Sequence, residues 1–244
     1  MARFFMAGTN INGGMAIMKG RDAEHVRVLR LRPGEDMIIC DGQGTDYKCR
    51  LVKADKEQVE AEVIEVKKCP AEPSVKVSVI CGLPKGSDKT DYIIQKSVEA
   101  GAEEIMFFQS ARCVAKPQNM EKKMERWQRI SEEAAKQSGR GIIPKVCWLE
   151  DMTAALDVVI KKDLGLFLYE TGEREALSEV LDSNREVKTI ALMTGPEGGF
   201  EAFEAKLAKT VGMHICSMGE RILRCETAPI VALTASMYAT GNLS

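Results

Sequence analysis

From residue 75 onward the chain repeats one rhythm: a short, predominantly apolar run, then a stretch with helical spacing. The runs are "VKVSVIC" (75–81), "EIMFF" (104–108), "KVCW" (145–148), "LGLFLY" (164–169), "KTIALM" (188–193) and "MHICSM" (213–218). Strands apolar on both faces must be covered on both faces. Strands that alternate with helices, rather than pairing through hairpins, predict an α/β architecture: a parallel sheet with helices on both faces. The intervening helices carry their own punctuation. "SDKTDYIIQKSVEAG" (87–101) has a cap at Ser87 or Asp88 and a stop at Gly101. "MEKKMERWQRISEEAAKQSG" stops at Gly139, and "ETAPIVALTASMYAT" (226–240) closes the pattern with Pro229 in its first turn.

The first seventy residues lack this rhythm. "DMIICDG" (36–42) reads as a strand ending in an Asp41–Gly42 turn. "TDYKCRLVKA" and "QVEAEVIEVK" follow, the latter alternating imperfectly through Val59, Ala61, Val63 and Ile64. One short helix, "RDAEHVRVLR", precedes Pro33–Gly34. This predicts a small β-barrel or half-barrel with one helix. Pro70 and Pro73 break the pattern in "KKCPAEPS", which predicts two domains, residues 1–72 and 73–244.

Composition narrows the function classes. No apolar run is long enough to span a membrane, and "MARFFMAGTN" has neither the apolar core nor the cleavage site of a signal peptide. A cytoplasmic protein is expected. No two of the eight cysteines stand three apart, and only His25 and His214 could join them. That disfavours a metal site and predicts reduced, packed thiols. The net charge of −2 hides two basic segments. Residues 3–32 hold six basic side chains against two acidic, and residues 112–145 hold nine against four. Such segments fit a polyanion bound at defined surfaces, or simply solvated helix faces.

Ligands of open parallel sheets bind beyond the carboxyl ends of the strands. Three loops qualify: Tyr169–Glu170, "TGPEGGF" (194–200) and "SMGERILRCETA" (217–228). The glycine loop lacks a following Gly-Lys-Ser/Thr and is not G-x-G-x-x-G, and Glu197 within it would repel a phosphate. It suits a neutral or cationic ligand read by backbone groups, or a tight turn that binds nothing.

Six stretches in order along the chain carry a resemblance. They are "RFF" (3–5), "HVRVLRLRPG" (25–34), "KGSDKTDYIIQKSVEAGAEEI" (85–105), "EAAKQSGRGIIP" (133–144), "GPEGGF" (195–200) and "GERILRCETA" (219–228). Together they resemble the RsmE family of ribosomal RNA methyltransferases, which make N3-methyluridine in the decoding region of 16S rRNA. Two positions depart from its pattern. Cys225 stands where a small residue such as alanine is usual, and Thr194 where an apolar one is expected. The resemblance implies a SPOUT α/β-knot, a deep trefoil knot, over residues 73–244, and a PUA-like RNA-binding β-barrel over residues 1–72. It implies S-adenosyl-L-methionine (SAM) as cofactor. It also implies the small ribosomal subunit as substrate and a homodimer with the active site near the subunit interface.

The same resemblance puts SAM on the three loops: Leu168, Tyr169 and Glu170; Gly195, Pro196, Glu197, Gly198 and Gly199; Met218, Gly219, Arg221, Ile222, Leu223, Arg224, Thr227 and Ala228. N3 methylation needs the uracil aligned with the methyl group and its developing negative charge stabilised or its proton removed. Arg224 and Arg140 are expected to stabilise charge. Glu197 and Glu226 are expected either to act as base or to hold loop and cofactor geometry. Arg3, Arg27, Arg30, Lys85, Arg112 and Arg140 are expected to grip RNA phosphates. Cys225 is expected to pack, because nitrogen methylation needs no cysteine nucleophile. Rival readings are a ribose 2′-O-methyltransferase of the same fold, a non-catalytic RNA-binding protein, and a nucleotide hydrolase.

Overall fold

The computed structural model describes residues 1–6, 11–55, 58–116 and 118–243. They form two compact units: residues 1–72 with 135–143, and residues 73–134 with 144–244. The boundary falls before Pro73, but the stretch from Ala135 to Ile143 belongs to the first unit, an exchange that the two-block reading did not foresee.

In the first unit the strands are β1 (Arg3–Phe5), β2 (Ile11–Asn12), β3 (Met15–Lys19), β4 (Asp36–Cys40), β5 (Thr45–Ala54) and β6 (Gln58–Lys68), with helix α1 (Gly20–Val28). They form one sheet in the order β1-β4-β5-β6-β3-β2. Every pairing is antiparallel except β1 with β4. Among the described residues no pairing joins β1 to β2, which fits the half-barrel of the two alternatives. Alternation puts Met37, Ile39, Cys49, Leu51, Val59 and Ala61 into one core with Phe4 and Met18. Register shifts in the β5–β6 pair, at Lys48/Cys49 and Leu51/Lys53, account for the irregular reading of that stretch. The Asp41 carboxylate accepts the Gln43 and Thr45 amides at 2.8 and 3.0 Å, closing the expected turn.

The second unit is built on β7 (Lys76–Gly82), β8 (Glu104–Phe108), β9 (Lys145–Leu149), β10 (Leu164–Leu168), β11 (Glu175–Ala176), β12 (Thr189–Thr194) and β13 (His214–Ser217). Its helices are α2 (Ser87–Glu99), α3 (Met120–Ser138), α4 (Met152–Val159), α5 (Leu177–Ser183), α6 (Ala202–Thr210) and α7 (Ala228–Ala239), the last turn of α3 belonging to the first unit. All seven strands are parallel, in the order β11-β13-β10-β12-β7-β8-β9. The six apolar runs are β7, β8, β9, β10, β12 and β13; the two-residue β11, exposed at the edge, had no apolar signal. The order departs from the chain in a telling way. β12 inserts between β10 and β7, β13 lies on the far side of β10, and α7 then returns to pack on α2, β7 and β12. Strands β13, β10, β12 and β7 are therefore neighbours, and all four release their loops at one edge.

Candidate active site

The glycine loop leaves β12 at Thr194 and is fixed at three points. Pro196 packs where Gly82 ends β7: a β-carbon on Gly82 would lie 2.5 Å from its ring. Glu197 reaches the start of α2. Its carboxylate accepts the Lys85 N–H at 3.0 and 3.2 Å and the Lys89 ammonium at 2.7 Å. Phe200 closes the loop, buried and stacked on Phe167 of β10 with centroids 4.2 Å apart; burying such a ring contributes about 2–3 kcal/mol. Between these anchors the Gly199 N–H donates to the Pro196 carbonyl at 2.9 Å. Gly199 has φ +67°, and a β-carbon there would lie 2.3 Å from the Glu170 carboxylate. The outer side is braced by Arg112, which donates to the Gly198 carbonyl at 2.9 Å and to Glu201 at 2.8 Å.

The cap of α2 differs from the expectation. Gly86, with φ +98°, is the N-cap, and no side chain of the helix caps it. Besides Asp88 in its first turn, a second carboxylate beside this helix start comes from the glycine loop, through Glu197.

The three loops enclose a cavity of about 630 Å³ within the second unit. Of the expected cofactor residues, Leu168, Tyr169, Glu170, Gly195, Pro196, Glu197, Gly199, Met218, Gly219, Arg221, Ile222, Leu223, Arg224 and Ala228 line it; Gly198 and Thr227 do not. Gly198 faces Arg112, and Thr227 is the N-cap of α7. Glu226 lines the cavity as well. So do Thr194 and Cys225, the two positions that depart from the family pattern, and six residues given no role in the sequence analysis: Lys89, Thr171, Arg174, Cys216, Ser217 and Glu220. Lys89 had a legible signal, a lysine in the first turn of a helix that opens at the same strand edge.

The charges in the cavity have distinct states. Burial works against ionisation of Glu197, yet the Lys89 ammonium and the Lys85 N–H outweigh it and hold the carboxyl below its ordinary range. For Glu226 burial is likewise outweighed, by backbone and Cys225 hydrogen bonds and by the charges of Lys89 and Arg224. The Cys225 thiol donates to Glu226 at 3.2 Å. Burial, that bond and the Glu197 charge push its pKa up to about 12, so it is a neutral thiol at physiological pH. Arg221 and Arg224 are exposed, and neither guanidinium has a hydrogen bond or ion pair among the described residues. Ile222 between them is 86% exposed.

The arginines of the first unit are placed otherwise. Arg3 spends both terminal nitrogens on Asp46, at 2.6 and 2.7 Å, and Asp46 is only 1% exposed. Arg140 is 3% exposed and pairs with Glu72 at 2.8 Å, while Glu72 also accepts the Gly141 and Ile142 amides. Both side chains hold the first unit together, and neither presents a guanidinium for phosphate. Arg27 donates to the Asp55 carbonyl, Arg30 is exposed with φ +56°, and the Lys85 side chain is exposed.

All eight cysteines are free thiols. Among the described residues there is no group of three or more His, Cys, Asp or Glu that could hold a metal, and no helix is long and apolar enough to cross a membrane.

Comparison with known proteins agrees with this geometry. The RNA methyltransferase domain family matches residues 71–237, and the RNA methyltransferase PUA domain family matches residues 19–64. Ribosomal RNA small subunit methyltransferase E of Bacillus subtilis is 38% identical over 91% of this chain and 89% of its own length. Its namesake in Mycobacterium bovis is 31% identical over 91% and 86%. The crystal structure of the Neisseria gonorrhoeae namesake, bound to S-adenosyl methionine, superposes with a TM-score of 0.84 at 30% identity, covering 98% of this chain and 97% of that one. With the domain match spanning most of its length and relatives above 30% identity covering nine-tenths of it, this chain belongs to the RsmE family of ribosomal RNA small subunit methyltransferases.

Proposed function

We propose that this chain transfers a methyl group from SAM to N3 of a uridine in the decoding region of 16S rRNA, with the assembled small subunit as substrate. The observation that carries the reading is the convergence of three strand-end loops on one cavity, with the glycine loop pinned so that its backbone lines it. The residues fit SAM. The cavity has the size of a nucleoside site. Leu168, Met218 and Leu223 offer apolar surface to an adenine, and the missing side chain of Gly199, in a left-handed backbone, leaves room for the Glu170 carboxylate.

SAM when bound supplies a methyl group already activated on a sulfonium. The chain must then orient the uracil and stabilise it as N3 loses its proton. Arg224, unpaired and on the cavity, is the residue we assign to the negative charge that develops on the uracil oxygens. Glu197 is held ionised with its oxygens occupied, so its role is loop geometry rather than proton removal. Glu226, also held below the ordinary carboxylate range, is a weak base. We therefore route the N3 proton to solvent. Arg140 is assigned to the fold of the first unit, not to catalysis.

Three further elements belong to this reading. The insertion of β12 between β10 and β7, with β13 placed beyond β10, supports a deep trefoil knot. The exposed Tyr92, Val231 and Tyr238 on the packed α2–α7 pair support a homodimer. Arg27, Arg30, Lys85 and Arg221 are the side chains we assign to RNA phosphates, with Arg112 engaged in bracing the loop.

The test is methyl transfer from labelled SAM to small subunits lacking the mark, followed by nucleoside mass spectrometry of the digested rRNA. N3-methyluridine is the expected product. A ribose-methylated nucleoside would move the reading to another RNA methyltransferase of this fold. SAM binding without transfer would send the search to a different RNA.

A further inference from the structure

The glycine loop is costly to order. Gly195, Gly198 and Gly199 fall within five residues, and each loses more backbone freedom on fixing than any other residue type. Hydrophobic anchors hold its two ends, Pro196 against Gly82 and Phe200 in the core. The middle is held by polar contacts: the Gly199 N–H on the Pro196 carbonyl, Arg112 on the Gly198 carbonyl, and Glu197 on the N–H of Lys85 and the ammonium of Lys89, the last being, among the described residues, the one contact that ties the loop to a side chain of α2. Lys89 sits in the first turn of α2, a helix that packs on α7. Its charge also acts on Glu226, in the loop that opens α7. One ammonium thus pairs with the carboxylate of one loop and acts electrostatically on that of another.

We propose that Lys89 is a positioning residue of the methyl-donor site: by holding Glu197 it keeps the glycine loop, before any ligand arrives, in the conformation that binds. The proposal rests on the SAM reading for the identity of the ligand, but the latch itself does not. Without Lys89 the carboxylate keeps only backbone N–H partners, of Lys85 and of Glu197 itself, and the loop regains freedom that binding must then remove. A bare Glu197 beside Glu226 and Glu170 also concentrates negative charge in the cavity.

The test uses the full chain with Lys89→Met, Lys89→Arg, Glu197→Gln and the Lys89→Met/Glu197→Gln double variant. Two readouts are taken. One is the SAM dissociation constant by calorimetry. The other is amide exchange of Gly199 in the ligand-free protein, which reports the Gly199–Pro196 bond directly. Lys89→Met is expected to weaken SAM about tenfold and to speed Gly199 exchange by a similar factor, within the range of coupled contacts. Lys89→Arg is expected to restore both to within about threefold, and the double variant to be no worse than Lys89→Met, because both changes break one contact. Unchanged affinity and exchange in Lys89→Met, or effects that add in the double variant, would overturn the proposal. Should wild-type protein fail to bind SAM while Lys89→Met still speeds Gly199 exchange, the latch stands and the methyl-donor reading falls.

Discussion

The two units use the same kinds of charge to opposite ends. In the first, Arg3 and Arg140 are sealed into ion pairs with Asp46 and Glu72 and are almost out of reach of water. In the second, Arg221 and Arg224 stand at a cavity without a hydrogen bond or ion pair among the described residues, and Lys89 with Glu197 makes a tight pair there that is partly exposed and anchors a loop. Nothing about an arginine in a sequence says which fate awaits it. The difference is made by neighbours distant along the chain: Asp46 is 43 residues from Arg3, and Glu72 is 68 from Arg140. The sealed pairs of Arg3 and Arg140 should therefore matter for stability and not for methyl transfer, and the open arginines at the cavity the reverse.

The strongest way to break that contrast is to orphan a buried charge. Asp46→Ala leaves the Arg3 guanidinium buried without its partner, and is expected to cost about 3–5 kcal/mol of the first unit's stability. Both tryptophans, Trp127 and Trp148, lie in the second unit. In urea, loss of β-sheet circular dichroism should then precede the tryptophan fluorescence change, whereas a single shared transition would show that the two units unfold as one. Arg224→Ala tests the other half. The side chain is exposed and unpaired, so the melting temperature should stay put while kcat falls about 10²-fold, the usual cost of removing one donor to developing charge. SAM affinity should hold. A fall in melting temperature with kcat intact would place Arg224 among the structural arginines.

A smaller effect is expected where conformation, not charge, does the work. Gly199→Ala forces a β-carbon into a left-handed backbone and against the Glu170 carboxylate, whose flexible end can give way. The left-handed strain alone costs about 1–2 kcal/mol. SAM binding should weaken about tenfold, and a calorimetric titration at matched stability checks it. Wild-type affinity in that variant would mean that the loop conformation is not the binding conformation.

How much of this could be read from the sequence follows from how local each determinant is. The parallel sheet was legible because its six main strands are apolar on both faces, a signal contained within each run. The three loops were legible because strand ends in such a sheet share an edge. The order β10-β12-β7 was not, since no periodicity encodes which neighbour a strand takes. Strand β11, two exposed residues long, has no pattern to find. Residues 135–143 join the first unit through Arg140, Gly141 and Ile142, all meeting Glu72, a contact between segments that composition leaves unlinked. The place of Lys89 in the first turn of α2 was legible, but its partner was not, since Glu197 sits 108 residues away.

The smallest expected effect concerns the residue that departs most visibly from the family pattern. Cys225 lines the cavity beside two carboxylates, which is where a sequence reader looks for a nucleophile. The surroundings argue the opposite. Burial, the bond to Glu226 and the charge of Glu197 all disfavour the thiolate, and with the pKa near 12 almost none exists between pH 7 and 9. Nitrogen methylation has no use for one. Cys225→Ala should therefore leave methyl transfer within about twofold of wild type, and alkylation of Cys225 by iodoacetamide should stay slow, with no inflection across pH 7–9. Abolished transfer with the fold intact would make the thiol a participant and would move the chemistry from nitrogen to carbon. Fast alkylation with transfer retained would show instead that the third loop opens far enough to free Cys225 from Glu226, and would limit the contrast between sealed and open charges to the closed state of the cavity.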